Sequence, residues 1–172
     1  MAVLPNLPET PGRSTCELDF QIALGQVLTV TQGPRTPAVA NAYARAEELC
    51  QQVGEIRQRI AVLRGLRRAT QGQGGPARAQ PLAEEFLRLA HQAQDTALLI
   101  EGHVALGVCL FYLGSVATAH TLLEEGLAID DVQCPPTHIF PAGQDLRILG
   151  LTYDAMALWV LGYPDQALQR SR

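Results

Sequence analysis

Apolar residues recur along this chain at spacings of three and four, the mark of helices buried along one face. Leu18, Ile22, Gly25 and Leu28 make the first such stripe, opened by Ser14 or Thr15 and closed at Gly33-Pro34. Val39, Tyr43, Ala46, Leu49 and Val53 make the second, with Pro37 in its first turn and Gly54 at its end. Ile56, Ile60, Leu63 and Leu66 predict a third helix over about 55–69, broken by QGQGG at 71–75. A fourth runs from about Gln80-Pro81 to Ala93, burying Leu82, Phe86, Leu89 and Ala90. Asp95 caps a fifth that ends at Gly114, and a sixth covers about 116–129. Pro135, Pro136 and Pro141 make 130–143 a loop. A seventh helix spans about 144–161, and an eighth starts at Asp165 beyond the turn Gly162-Tyr163-Pro164. The first twelve residues hold three prolines and no period, and read as a disordered leader. The fold class is all-α.

The helices pair into hairpins that resemble one another. Ala46, Ala79, Ala119 and Ala167 stand at matching places, 33, 40 and 48 residues apart. Leu113-Gly114 precedes Ala119 as Leu161-Gly162 precedes Ala167. Two amphipathic helices cannot bury both apolar faces alone. Stacked hairpins can, provided small residues stand where helices cross. Residues 13–172 are therefore expected to form one helical-repeat domain, with hairpins at about 14–54, 55–93, 95–129 and 144–172.

On these residues the chain resembles the tetratricopeptide-repeat family. It resembles more narrowly the repeat region beside the ATPase module of bacterial class III adenylate/guanylate cyclase fusion regulators. The narrower likeness rests on Leu24-Gly25 with Val27-Leu28, the run from Tyr43 to Cys50, the run from Leu98 to His103, and Leu161 to Leu168. The resemblance implies a right-handed solenoid of about four antiparallel hairpins, the last cut short. The polar stretch RRATQGQGG from Arg67 to Gly75 departs from the family pattern, which expects an apolar helix end. Neither a cyclase nor an ATPase domain is present, so neither activity carries over.

Composition narrows the function. Of 172 residues 47% are hydrophobic and only 5% aromatic, so the core is built from Leu, Ala, Val and Ile. The net charge of -4 argues against nucleic acid as the main partner. All 13 basic residues are arginine, which removes a phosphate-loop lysine and a Schiff-base lysine. Cys16, Cys50, Cys109 and Cys134 match no common zinc spacing. No signal peptide or membrane span is apparent, and a reducing cytoplasmic setting is the default.

Candidate chemistry is sparse. The pairs Glu47-Glu48, Glu84-Glu85 and Glu124-Glu125 point about 100° apart on a helix and read as solvated faces. Cys134 and His138 supply two ligand types but no complete metal set. His103 and His120 lie on partner helices without a nucleophile beside them, and read as structural. Neither a catalytic residue, a cofactor nor a metal is expected. Partner-binding candidates follow from the family's concave face. They are Glu101, Val104, Val108 and Phe111, with Asp19, Gln26 and Thr29 in the first hairpin. Val104 and Phe111 are equally explained by packing on the next repeat. Arg57, Arg64 and Arg68 make the one local basic stripe.

The expected function is a protein–protein interaction scaffold, a fragment of a larger bacterial signalling regulator, with proteins, peptides or neighbouring domains as partners. Asp165 to Arg172 gives only two turns, so Leu161 and Leu168 mark an edge open to self-association. The alternative is a small-ligand sensor relaying to a cyclase or transcriptional output.

Overall fold

The helical periods become eight helices in a computed structural model that describes residues 11–73, 75–133 and 145–171. They are α1 (Pro11–Gln32), α2 (Pro37–Val53), α3 (Ile56–Gln73), α4 (Pro76–Ala93), α5 (Thr96–Tyr112), α6 (Val116–Gln133), α7 (Leu146–Val160) and α8 (Pro164–Arg170). No strand occurs among the described residues. The chain divides into two compact units, residues 1–75 and 76–172, with the division between α3 and α4.

In the first unit, α1 and α2 form an antiparallel hairpin and α3 packs on both. Leu18 and Ile22 of α1, Ala46 and Leu49 of α2, and Val62 of α3 share one core. Tyr43 is the central piece. A Cβ at Gly25 would stand 2.7 Å from its ring, and a Cβ at Gly65 would overlap the ring outright. Glycine on both flanking helices is what lets a phenol lie between them. In the second unit, α4 packs on α5, α5 pairs with α6, and α7 packs on both before turning into α8. Gly107 admits Leu123, and Gly102 admits Leu87, at the α5 crossings.

The α5/α6 and α7/α8 turns of the second unit are copies. Gly114 and Gly162 adopt φ of +84° and +91°. In the first turn Ser115 N–H donates to Leu110 C=O; in the second Tyr163 N–H donates to Leu158 C=O. Both are Schellman closures, which satisfy carbonyls that a helix end leaves open. The helices that start these hairpins are also capped alike. Asp95 Oδ1 accepts from Ala97 and Leu98 N–H, and Asp145 Oδ1 from Arg147 and Ile148 N–H.

Several boundaries depart from expectation. Helix α1 starts at Pro11, so the expected leader loses its last two residues to the helix, and residues 1–10 lie outside the described part. Helix α3 runs through the QGQGG region to Gln73, because Ala69 packs on Val39 and Tyr43 and carries the helix past Leu66. Helix α4 begins at Pro76 and holds Pro81 inside it. Ala79 is fully buried, and its burial requires a helix that starts before it; Pro81 sits on the exposed side. Helix α6 continues to Gln133, so 130–133 are helical, while 134–144 lie outside the described residues. Ile56, expected inside, is 47% exposed in the first turn of α3.

Replacing Gly65 with valine should cost about 1–3 kcal/mol of stability by overpacking the Tyr43 ring. Urea unfolding followed by helix circular dichroism measures it. A neutral result would mean that the Tyr43 ring is free to leave its slot.

Candidate functional site

The clearest constellation of polar groups lies where α6, α7 and α8 meet. Asp154 of α7 is fully buried. His120 of α6 places Nδ1 2.6 Å from Asp154 Oδ1, and Arg170 of α8 places Nε 2.6 Å from Oδ2. Arg170 also donates through a terminal nitrogen to Glu124 Oε1 at 2.7 Å, while His120 Nε2 stands 3.5 Å from Glu124 Oε2. A carboxylate inside an apolar core survives only when paired and hydrogen-bonded. Here one carboxylate ties three helices together.

His120, Glu124 and Asp154 have the chemistry of metal ligands, and their ligand atoms lie within 4.8 Å of one another. Yet Arg170 bridges both carboxylates and supplies the positive charge that a metal would bring. The group is read as a structural clamp. The hydroxyls adjoining it in sequence are engaged elsewhere: Thr121 donates to Ala117 C=O, Ser171 donates to Leu168 C=O, and the Tyr153 hydroxyl pairs with that of Tyr112.

Beside the clamp lies an apolar groove of about 350 Å³. Phe111 from the end of α5, Met156, Trp159 and Val160 from α7, and Leu168 from α8 line it. Trp159 is 67% exposed, although it is the chain's single tryptophan and its largest apolar side chain. Phe111 also belongs to an aromatic cluster. Phe111, Tyr112 and Tyr153 meet edge to face at centroid distances of 5.6 to 5.9 Å. The Tyr112 and Tyr153 hydroxyls share a 2.7 Å hydrogen bond. Burial, then that bond, pushes the Tyr153 phenol up to about 12.

The expected partner-binding residues scatter. Of the four on α5, only Phe111 reaches the groove. Glu101, Val104 and Val108 are buried, the two valines in one core cluster with Leu123 of α6 and Leu146 of α7. In the first unit Asp19 accepts a hydrogen bond from Gln58 of α3 and Gln26 is exposed. Thr29 donates to Gly25 C=O. Arg57 is exposed, whereas Arg64 and Arg68 stand by the Tyr43 phenol, whose pKa burial raises against the lowering effects of a Thr29 hydrogen bond and then of these two cations. His103 and His120 do not meet. His103 has its Nδ1 3.4 Å from Glu125 and its ring edge-on to His91. Cys134 and His138 lie outside the described residues. Sequence reasoning passed over Asp154, Arg170, Met156 and Trp159. The signal for the last two was present, since Ile148, Thr152, Met156 and Trp159 keep helical spacing on α7.

Hairpins with matched turns, matched caps and matched buried alanines define an all-α helical-repeat protein. The chain is similar in structure to a solved protein titled "Crystal Structure of the Apo Form of RapI", with a TM-score of 0.78 and 14% identity. The likeness covers 97% of this chain and 56% of the RapI chain, so the chain spans little more than half of that protein's length. At this identity the likeness shows the fold. No family model and no curated protein matches the sequence. Among the described residues, no helix is long and apolar enough to cross a membrane.

Two outcomes test these groups. Asp154→Ala strands Arg170 against Glu124 alone and should cost about 3 kcal/mol in urea unfolding, more than Glu124→Ala at the exposed end of the clamp. His103 has its pKa lowered by burial, and by His91, against the raising effect of Glu125 and a bond to the Leu122 backbone. The unfolded chain therefore takes up this proton first. Its contribution to stability is present above the ordinary histidine value and is lost as pH falls below it. His103→Gln should flatten that acid limb of the stability profile.

Proposed function

We propose that this chain is a non-catalytic protein–protein interaction scaffold of the tetratricopeptide kind, serving a bacterial signalling regulator in the cytoplasm. One observation carries the reading: the α7/α8 hairpin presents an open apolar groove, with the exposed Trp159 in its lining. Contiguous exposed apolar surface beside polar residues is the signature of an interaction site. The preferred occupant is an amphipathic helix, which lays an apolar stripe into such a groove. The clamp at Asp154 holds α8 in place as one wall. The converging acid, base and nucleophile of an enzyme have no counterpart in the groove. The resemblance to cyclase–ATPase regulators supports the signalling context.

A small-ligand sensor is the second reading, since about 350 Å³ falls within the range of ligand pockets. The scarcity of polar groups along the groove weighs against it. Small ligands are oriented by a few placed donors and acceptors, and a helix needs only the stripe.

A peptide of residues 145–161 carrying Trp159→Phe offers the probe, because Trp159 is then the sole indole in solution. Saturable blue-shifted emission on titration supports the scaffold reading, and the response should vanish in Trp159→Ala followed by a labelled peptide. Unchanged emission at millimolar peptide would sink it.

A further inference from the structure

A second polar group lies apart from the clamp and the groove, where α5 packs between α4 and α6. His103 of α5 is 6% exposed. Its ring bonds the Leu122 backbone, and its Nδ1 is left buried without a hydrogen-bond partner. A ring nitrogen cut off from water and left unpaired is costly, so such an atom calls for a ligand. Nδ1 faces Glu125 Oε2 of α6 across 3.4 Å, longer than an ordinary N–H···O bond. The ring of His91, in the last turn of α4, stands edge-on to that of His103 with centroids 6.0 Å apart.

Local sequence builds this convergence. A Cβ at Gly126 would stand 2.9 Å from His103 Cβ, so the missing side chain brings α6 onto His103 and sets the adjoining Glu125 beside its ring. On the other side Gly102 admits Leu87, one turn before His91 on α4. His103 is the fixed member, whereas His91 and Glu125 are exposed and can turn without disturbing the core. The separations are those of metal ligands. Two donors on a tetrahedral zinc, each about 2.0–2.2 Å from the ion, stand about 3.4 Å from one another, and two imidazoles on it have ring centres about 5 Å apart. His103 and Glu125 already keep the first separation, and a small rotation of His91 supplies the second. A ligating histidine is usually fixed by a hydrogen bond from its ring, as the Leu122 backbone provides here.

We propose that His91, His103 and Glu125 bind one divalent transition-metal ion of the zinc class, which joins α4, α5 and α6 and keeps its fourth position for water. Two imidazoles and one carboxylate suit zinc and its borderline neighbours, while magnesium and calcium take oxygen ligands. The clamp at Asp154 differs in this respect, because Arg170 already stands against its carboxylates. The metal site goes beyond the scaffold reading and does not depend on the groove.

Zinc chloride titrated by calorimetry into the chelator-treated full chain tests it. The wild type should take up one equivalent, melt at a higher temperature with zinc than without, and keep the ion in excess magnesium. His91→Ala should lose more than the about 10–100-fold in affinity that removal of an outer-shell partner costs. That position is exposed, so the test stands even where the buried His103→Gln fails to fold, and circular dichroism checks both variants. Glu124→Gln touches only the clamp and should bind zinc as the wild type does. Cobalt in place of zinc should give the visible bands of a four-coordinate nitrogen and oxygen site without a thiolate charge-transfer band. Absence of zinc uptake would overturn the site. So would uptake that survives His91→Ala, falls away in Glu124→Gln or carries the thiolate band, since each assigns the ion to another place, to the clamp or to the cysteines.

Discussion

Close approach of helices is the constraint on which the rest of this protein depends. With few aromatic residues to fill wide gaps, the core closes only if backbones come near, and they come near only where side chains are small. Ala46, Ala79 and Ala119 are fully buried and Ala167 nearly so. Glycines at 25, 65, 102, 107 and 150 face Tyr43, Leu87, Leu123, Leu127 or Val104 on neighbouring helices. Each crossing pairs a missing side chain with a large one. That pairing sets the order in which α5, α6 and α7 nest, and hence where the groove stands.

The clamp adds direction to this packing. Dispersion and burial hold helices together without choosing their ends. Asp154 needs both His120 and Arg170 to be tolerable in an apolar interior, and only one placement of α8 delivers Arg170. A helix of 7 residues is too short to form alone. Its position follows from the Schellman turn at Gly162, the buried Ala167 and the ion pair. The groove wall that carries Leu168 therefore depends on a charge buried behind it.

Function and packing use the same surface in such a fold. The stripe on α5 that family likeness marks for partners is spent on receiving α7; its copy on α7 is the one left open. In a stacked-hairpin fold, each repeat covers the apolar face of its neighbour, so an uncovered face is of the same make as a covered one. This explains why Val104 and Val108, marked for partners by family likeness, lie in the core, and why Trp159 on α7 is exposed.

Much of the architecture was legible in the chain alone. Periodicity located eight helices, and the alanines and turn glycines located their joints, because these depend on spacing within a few turns. The ends of α3 and α4 were not legible, since Ala69 and Ala79 extend those helices through contacts made at a distance in sequence. The site was legible in part. Ile148, Thr152, Met156 and Trp159 keep a helical period, but a period says that one face is apolar and not whether that face is covered. Asp154 reads in sequence as a break in an apolar run; its pairing with His120 and Arg170, 34 and 16 residues away, exists only once three helices have packed. Sequence determined which residues form helices and how closely they can approach, through local sterics and spacing. Tertiary structure alone decided which apolar stripe was consumed and which remained open, because coverage is a property of neighbours.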